Sequence, residues 1–258
     1  MFWTAIATRR RVIAALMMRE IYSRFGRDSL GFGWLVFEPL IFVFPVLTMW
    51  SYIRGRSEHG LDVMSLCWTG YMPLMLYRHM CGSQITALRE AILLFHHRPV
   101  SVFDVLTARI FMEILSNLCA VIVSLIALVT VGVLHWPKDL PMFYLGYAYM
   151  IWWCACVAIF VAAFAPRTVW IEKIWMVAGY MYVALSGCFY MVFFIPQSAR
   201  SIALLQPSLH AYEMIRAGMF GATVPTFYDI AYTTKVLTVL TFLGLLGIYQ
   251  APKHLIIE

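Results

Sequence analysis

Three polar residues, His210, Glu213 and Arg216, recur at intervals of three in an apolar stretch near the end of the chain. On one helix, residues at this spacing can interact. Such residues could belong to an enzyme inside a membrane, or a glutamate and an arginine could neutralise each other. The chain contains no HExxH, HxxxxD or GxSxG motif, so we predict no catalytic residue and no metal site.

The segment around these residues, 196–228, is divided by proline into two half-length pieces. Pro207 separates Gln197–Leu205 from Ser208–Phe220, which would form helices of about 13 and 20 Å. Both are shorter than the roughly 30 Å hydrocarbon core, so we predict a re-entrant helical hairpin. Glu213 and Arg216 could simply neutralise each other there, or could hold the hairpin as an outer gate. If they hold a gate, exchanging the two charges should recover part of the export that is lost when either is replaced by alanine.

The composition of the chain is typical of an integral membrane protein. Hydrophobic residues make up 62% of the 258 residues and charged residues 12%, about half the share of a soluble domain. We predict an all-α fold of one transmembrane domain, residues 1–258, with six apolar segments long enough to span a bilayer. These segments lie at approximately 32–53, 64–88, 106–134, 142–165, 174–195 and 229–249.

The positions of lysine and arginine predict the orientation. With both termini in the cytoplasm, 12 of the 19 Lys and Arg residues fall on the cytoplasmic side, as the positive-inside rule favours. The proline-divided hairpin then opens outward. The net charge of +6 is explained by this bias, and we predict no nucleic-acid partner.

Two regions face the cytoplasm in this topology. Residues 4–27 alternate apolar residues with arginines at helical spacing and predict an amphipathic helix in the headgroup plane. The loop 89–104 begins with charge, exposes an apolar stretch too short to span, and stops at Pro99. It is either an interfacial helix or a docking site for a cytoplasmic protein. The adjacent His96 and His97 diverge by about 100° on a helix and make a poor metal pair.

Aromatic residues could line a channel. Trp175, Tyr182, Phe189 and Phe193 would fall within about 40° of one another if residues 174–195 formed one helix. Such a face could stack sugar rings, although aromatic stripes in membrane helices often only pack. In the first span Glu38 faces either a pore or the inner interface. The remaining channel candidates there are Trp34, Phe37 and Phe44.

Nucleotide binding is not encoded in this chain. "GRDSLG" begins like a P-loop, but Phe32 stands where the lysine is required. We therefore predict no cofactor, and any ATP and Mg²⁺ would be bound by a partner protein.

Several blocks resemble the permease subunits of ABC-2-type transporters, and in particular those of Gram-negative capsular polysaccharide exporters. They are "LMMREIYSRFGRDSLGFGWLVFEPLIF", "TGYMPLMLY", "ILLFHHRPVSVFDVLTARIFMEI" and "SGCFYMVFFIP…LLQPSLHAYEMIRAGMF", in that order from Arg19 to about Phe220. The chain departs from the pattern at Gln206 and Glu90, where asparagine is usual.

This resemblance implies a homodimeric six-span permease of the inner membrane, served by two copies of a cytoplasmic ATPase. The dimer would form a channel for a lipid-linked acidic polysaccharide. A periplasmic co-polymerase or adaptor and an outer-membrane export channel would complete the machine. The coupling element that docks in the ATPase would comprise Glu90, Leu93, Leu94, Phe95, His96, His97, Arg98 and Pro99. The hairpin with His210, Glu213 and Arg216 would line the outer mouth as a gate.

Two other functions compete with this one. A related permease could carry another surface glycan, such as O-antigen or teichoic acid; the opening block and the run Pro99 to Asp104 favour capsule. A multispan membrane enzyme is the more distant alternative, since the chain lacks a set of catalytic residues.

The topology can be tested by labelling. In a cysteine-depleted background, Ser57→Cys and Ser201→Cys should react with an impermeant thiol reagent added to the outside of spheroplasts, because both positions are predicted to face outward. Thr8→Cys should react only after the membrane is permeabilised. Labelling of Thr8→Cys in sealed cells would contradict the six-span topology.

Overall fold

The computed structural model describes residues 2–25, 37, 41, 43–50, 52–53, 57–58, 60–97, 100–164 and 169–250. Two short strands, β1 (Ser57–Glu58) and β2 (Leu61–Asp62), pair antiparallel with Ser57 opposite Asp62. The helices are α1 (Phe2–Phe25), α2 (Val63–His97), α3 (Val102–Thr130), α4 (Leu140–Phe164), α5 (Val169–Leu185), α6 (Gln197–Ala203), α7 (Pro207–Phe220) and α8 (Ile230–Gln250). Residues 43–50 are also helical, and 3-10 turns lie at Val192–Phe194 and Gly221–Thr223.

Three helices, α3, α4 and α8, are long and apolar enough to cross a membrane. Their 29, 25 and 21 residues correspond to about 44, 38 and 32 Å, against a core of roughly 30 Å. Each covers most of a span predicted from the sequence. In the predicted span 32–53, the described residues 37, 41, 43–50 and 52–53 are all helical.

Helix α2 is longer than the span predicted within it. Its 35 residues extend about 52 Å and include the predicted span 64–88. Residues 89–97 continue the same helix, so the prediction of a separate short helix in the 89–104 loop is wrong. A proline disfavours the helical conformation in the residue before it, so Pro99 does not prevent residues 89–97 from continuing the helix.

The N-terminal helix is confirmed by α1, which packs against α3. Leu16 of α1 is buried against Val105 and Ala108 of α3, with Val12 and Ile13 partly buried beside them. The apolar residues predicted for one face of the helix therefore contact the rest of the chain.

Helix α3 begins at a capping box formed by Ser101 and Asp104. The Asp104 carboxylate accepts hydrogen bonds from the Ser101 backbone N–H and hydroxyl at 3.0 and 2.7 Å, and Ser101 Oγ accepts from Asp104 N–H at 3.2 Å. These bonds satisfy N–H groups that a helix start leaves unpaired. The Asp104 of the quoted block thus starts the helix that follows the predicted coupling element.

The core is centred on α4, which packs against α2, α7 and α8. The rings of Trp68 on α2 and Phe143 on α4 stack with centroids 6.2 Å apart. The Trp68 indole N–H donates to Ser124 Oγ on α3 at 3.0 Å, so its polar atom is also satisfied. One buried aromatic residue therefore joins three helices.

Glycines allow the closest helix contacts. A Cβ on Gly218 of α7 would lie 2.3 Å from the backbone nitrogen of Phe143, and one on Gly146 of α4 would lie 2.5 Å from that of Ile215. A Cβ on Gly70 of α2 would lie 1.7 Å from the Cys188 carbonyl oxygen. Because each obstruction is backbone rather than a mobile side-chain end, these contacts require glycine.

The chain after α5 departs from the sequence prediction. Helix α5 ends at Leu185, and a turn over residues 186–189 includes Gly187 at φ +81°. L-residues with a Cβ rarely adopt that conformation, so glycine ends the helix here. Residues 174–195 are therefore not one helix. The prediction that Trp175, Tyr182, Phe189 and Phe193 share one helical face is wrong.

The α4–α7 contact can be tested with Gly218→Ala. The added methyl group should force the two backbones apart and destabilise the protein by about 1–3 kcal/mol. Gly82→Ala is the control, because no atom lies within 4 Å of a Cβ there. Thermal unfolding in detergent should give a lower Tm for Gly218→Ala alone; equal values for both variants would contradict the close contact.

Candidate functional site

The proline-divided segment forms two short helices, as predicted. Helix α6 has seven residues and α7 has 14, about 10 and 21 Å, so neither could span a bilayer alone. Gln206 lies between them, and Pro207 occupies the first turn of α7, where its missing N–H leaves no bond unmade. The three polar residues of this site all lie on α7 and are buried.

Glu213 bonds the backbone on both sides of the hairpin. Its Oε1 accepts the Val192 N–H at 3.0 Å, and its Oε2 accepts the Phe227 N–H at 2.9 Å. The side chain is fully buried. One carboxylate thus joins the segment before α6 to the segment after α7.

Arg216 bonds carbonyl groups of the turn after α5. Its Nη2 donates to the Cys188 carbonyl at 2.7 Å, and its Nη1 donates to the Tyr190 carbonyl. The guanidinium carbon lies 5.7 Å from the Tyr212 ring centroid. Although it is charged, Arg216 is 0% exposed, so no ligand can reach it in this conformation.

His210 joins the connection between α6 and α7 to the start of α8. Its Nε2 lies 2.8 Å from the Leu204 carbonyl, and its Nδ1 accepts the Asp229 N–H at 3.0 Å. A carbonyl needs a donor and an N–H needs an acceptor, so this pair of partners requires the neutral ring with its proton on Nε2.

Glu213 and Arg216 do not form an ion pair with each other. Among the residues that the structure describes, both side chains instead take the backbone partners given above. The two side chains therefore make no direct contact, but their charges still favour each other electrostatically, so their mutual neutralisation stays a prediction. A gate that opens when an acidic chain competes for Arg216 would also require α7 to unpack first.

The channel candidates occupy different environments. Tyr182 is buried, stacks on Tyr77 at 3.8 Å between centroids and accepts the Trp153 indole N–H at 3.0 Å. Phe189 stacks on Trp50 at 5.0 Å. Trp175 is partly buried, and Phe37, Phe44 and Phe193 are exposed. Trp34 and Glu38 lie outside the described residues.

The predicted coupling residues lie at the end of α2. The backbone of Glu90, Leu93, Leu94, Phe95, His96 and His97 is helical, but their side chains are outside the described part of the chain. Arg98 and Pro99 are also outside it. Their role in coupling therefore stays a prediction.

A buried ion pair at this end of the molecule was not predicted. Arg109 of α3 lies 3.3 Å from Glu20 of α1, measured from Nε to Oε1. Its Nη1 also donates to the Ser83 carbonyl of α2 at 2.7 Å, so one side chain joins three helices. Both charges occur in the quoted sequence blocks, but 89 residues separate them, and nothing in the sequence pairs them.

A metal site is not supported by the described residues, which contain no group of three or more His, Cys, Asp or Glu side chains placed to hold an ion. The cysteines among them are all free, and most are buried.

Comparison with known proteins identifies the family. Residues 11–220 match the family described as ABC-2 type transporter. The chain belongs to the ABC-2 type transporter family. That match begins within α1 and ends with α7, so it includes both short helices of the hairpin.

Full-length relatives refine the relationship. The chain is 33% identical over 252 residues to "Capsule polysaccharide export inner-membrane protein CtrC" of Neisseria meningitidis serogroup B, covering 98% of this chain and 95% of that protein. It is 32% identical over the same shares to the capsule polysaccharide export inner-membrane protein BexB of Haemophilus influenzae. "Polysialic acid transport protein KpsM" of Escherichia coli is 21% identical over 94% of this chain and 93% of its own.

Exchanging the charges of α7 tests the hydrogen-bond assignment. In the double variant Glu213→Arg with Arg216→Glu, a guanidinium would face N–H donors and a carboxylate would face carbonyls. We expect folded protein to fall at least as far as in Glu213→Gln or Arg216→Ala, since each unpaired buried group costs about 1–3 kcal/mol.

The measurement is the folded fraction by size-exclusion chromatography in detergent. Lys235→Gln, which changes an exposed cation of α8, is the control and should remain at wild-type level. If the double variant contains more folded protein than both single variants, the two residues form an ion pair and the assigned backbone hydrogen bonds are refuted.

Proposed function

We propose that the chain is the transmembrane subunit of an ATP-driven exporter that moves lipid-linked acidic capsular polysaccharide across the inner membrane. The observation that carries this proposal is similarity at 32–33% identity, over 98% of the chain, to two capsule polysaccharide export inner-membrane proteins. Short and partial matches often share only a fold, whereas this similarity covers helices, connections and hairpin alike.

The proposed topology has six spans with both termini in the cytoplasm. The spans are the segment 32–53 and helices α2, α3, α4, α5 and α8. Two observations support a common outer end. The Asp139 N–H, between α3 and α4, donates to the Gly218 carbonyl of α7 at 2.9 Å. A cavity of about 210 Å³ is lined by Gly60, His135 and Phe220 together with their neighbours.

The opposite end is the proposed cytoplasmic end. The ion pair of Arg109 with Glu20 lies there, close to the start of α3 and therefore to the predicted coupling element. Helix α2 is about 22 Å longer than the bilayer core is thick, so its last turns can project from the membrane. We propose that residues 90–99 dock in the ATPase.

The partners follow from what this chain lacks and from what an exporter needs. Without a P-loop, the chain requires a separate ATPase to bind ATP and Mg²⁺, and two copies would serve a homodimer. The cargo must then cross the periplasm, so an adaptor and an outer-membrane channel are the proposed further partners.

The hairpin is the proposed outer closure of the translocation path. Its buried polar residues hold α7 to the turn before α6 and to the start of α8. Opening would therefore move α7 together with these segments rather than break a single ion pair. The exposed Phe37, Phe44 and Phe193 are proposed channel-facing residues.

The coupling assignment is tested by changing Leu94 and Phe95 to Asp in one double variant. An apolar docking surface should not tolerate two carboxylates, and we expect capsule export to fall at least tenfold while membrane insertion is unchanged. The ATPase should also fail to co-purify with the variant. Surface capsule and co-purification are the two measurements.

The matched control is Leu140→Asp, an exposed apolar residue at the opposite end of the α3–α4 pair. It begins α4, where a carboxylate is favoured by the helix dipole. Normal export from the Leu94 and Phe95 double variant would show that the coupling element lies elsewhere.

A further inference from the structure

A groove between α2 and α5 combines a cation with aromatic walls. It has a volume of about 240 Å³ and is lined by Tyr77, Arg78, Gly82, Trp175, Gly179 and Tyr180, among others. No atom lies within 4 Å of a Cβ built on Gly82 or Gly179, so the groove is open beside both glycines. At roughly 30 Å³ per water, this volume equals about eight water molecules, the scale of a single sugar ring.

Arg78 is the charged group of this groove. It lies within the predicted span 64–88, about 22 Å along α2 from Val63, and its side chain is exposed. An arginine inside a membrane segment is expensive unless it faces water or an anion, and therefore marks a transport path more often than a packing site. No carboxylate lies among the described residues that line the groove.

The aromatic walls favour one class of anion. Tyr77 and Trp175 have ring centroids 6.3 Å apart, and Tyr180 is 72% exposed. A sugar ring carrying a carboxylate could place its C–H face on such rings and its carboxylate on the planar guanidinium, which binds carboxylates through two parallel hydrogen bonds. Among the described residues that line the groove, a lipid phosphate would find Arg78 as its one cation.

We propose that Arg78, with Trp175 and Tyr180, forms a contact site for one acidic sugar of the transported chain. This inference rests on the proposed exporter function and names the residue that selects acidic cargo. Arg78 is a specificity residue in this assignment, because a neutral glycan would use the rings but not the guanidinium.

The test uses the complex of the chain with its ATPase in phosphatidylcholine nanodiscs. Fluorescently labelled hexagalacturonate and the neutral galactohexaose are the two probes, and anisotropy measures their binding. Arg78→Gln should weaken hexagalacturonate binding roughly 10- to 100-fold, the equivalent of one lost charge-assisted contact, and leave the neutral probe unchanged. Arg78→Lys should fall between, since it keeps the charge but not the paired geometry.

Two size variants test the groove itself. Gly179→Leu fills the open space and should weaken both probes. Val177→Leu enlarges a residue on the exposed side of the same helix, where 62% of Val177 is accessible, and should alter neither. If Arg78→Gln binds hexagalacturonate as tightly as the wild-type protein does, the assignment is overturned.

Two other occupants give distinct results. If added phosphatidylglycerol displaces hexagalacturonate from wild type but has no effect on Arg78→Gln, the groove binds a lipid headgroup and the proposal is overturned. Loss of the dimer in Arg78→Gln, measured by light scattering, would assign the groove to a second copy of the chain and also overturn it.

Export in cells separates this inference from the exporter function. A strain lacking its own permease should regain acidic capsule with the wild-type chain and much less with Arg78→Gln. Full export by Arg78→Gln would refute the groove and leave the exporter function standing. If the wild-type chain restores no capsule, the exporter function itself fails.

Discussion

Three side chains of α7 satisfy the irregular backbone around the hairpin, and the arrangement of this region depends on them. His210, Glu213 and Arg216 bond three N–H groups, of Val192, Phe227 and Asp229, and three C=O groups, of Cys188, Tyr190 and Leu204. A helix satisfies its own backbone, whereas turns inside a membrane protein need partners from elsewhere, because unpaired groups there cost several kcal/mol. The charges of α7 are therefore structural requirements of the turns beside it.

Close packing makes these bonds possible. Side chains of α7 reach backbone on both sides only because the helix lies directly against α4, at Gly146 and Gly218, where a methyl group would meet backbone atoms. Gly70 allows the Cys188 carbonyl, one of the acceptors of Arg216, to lie equally close to α2. Small residues and buried charges thus contribute to the same arrangement of helices and turns.

The sequence predicts what depends on length and local chemistry, and fails where distant residues compete. Hydropathy located α3, α4 and α8, and Pro207 located the break in the hairpin, because both signals are local. The spacing of Glu213 and Arg216 suggested an ion pair, but spacing cannot reveal that backbone groups of other segments occupy both side chains. The apolar segment 174–195 predicted a fifth span that continues past Gly187. An apolar pattern cannot show that the backbone adopts a positive φ at this residue. The pair of Glu20 with Arg109 depends on tertiary contact alone.

Helix α2 joins the turn held by Arg216 to the predicted coupling residues within one element. Gly70 lies against the turn that Arg216 holds, and the same helix, which contains Pro73, extends to His97. These positions are 27 residues apart, about 40 Å along the axis. At that length a tilt of about 5° displaces the far end by about 3.5 Å, which is more than the donor–acceptor distance of a hydrogen bond. Because of this length, a small rotation of α2 at the outer turn becomes a displacement of several ångströms at the opposite end of the helix.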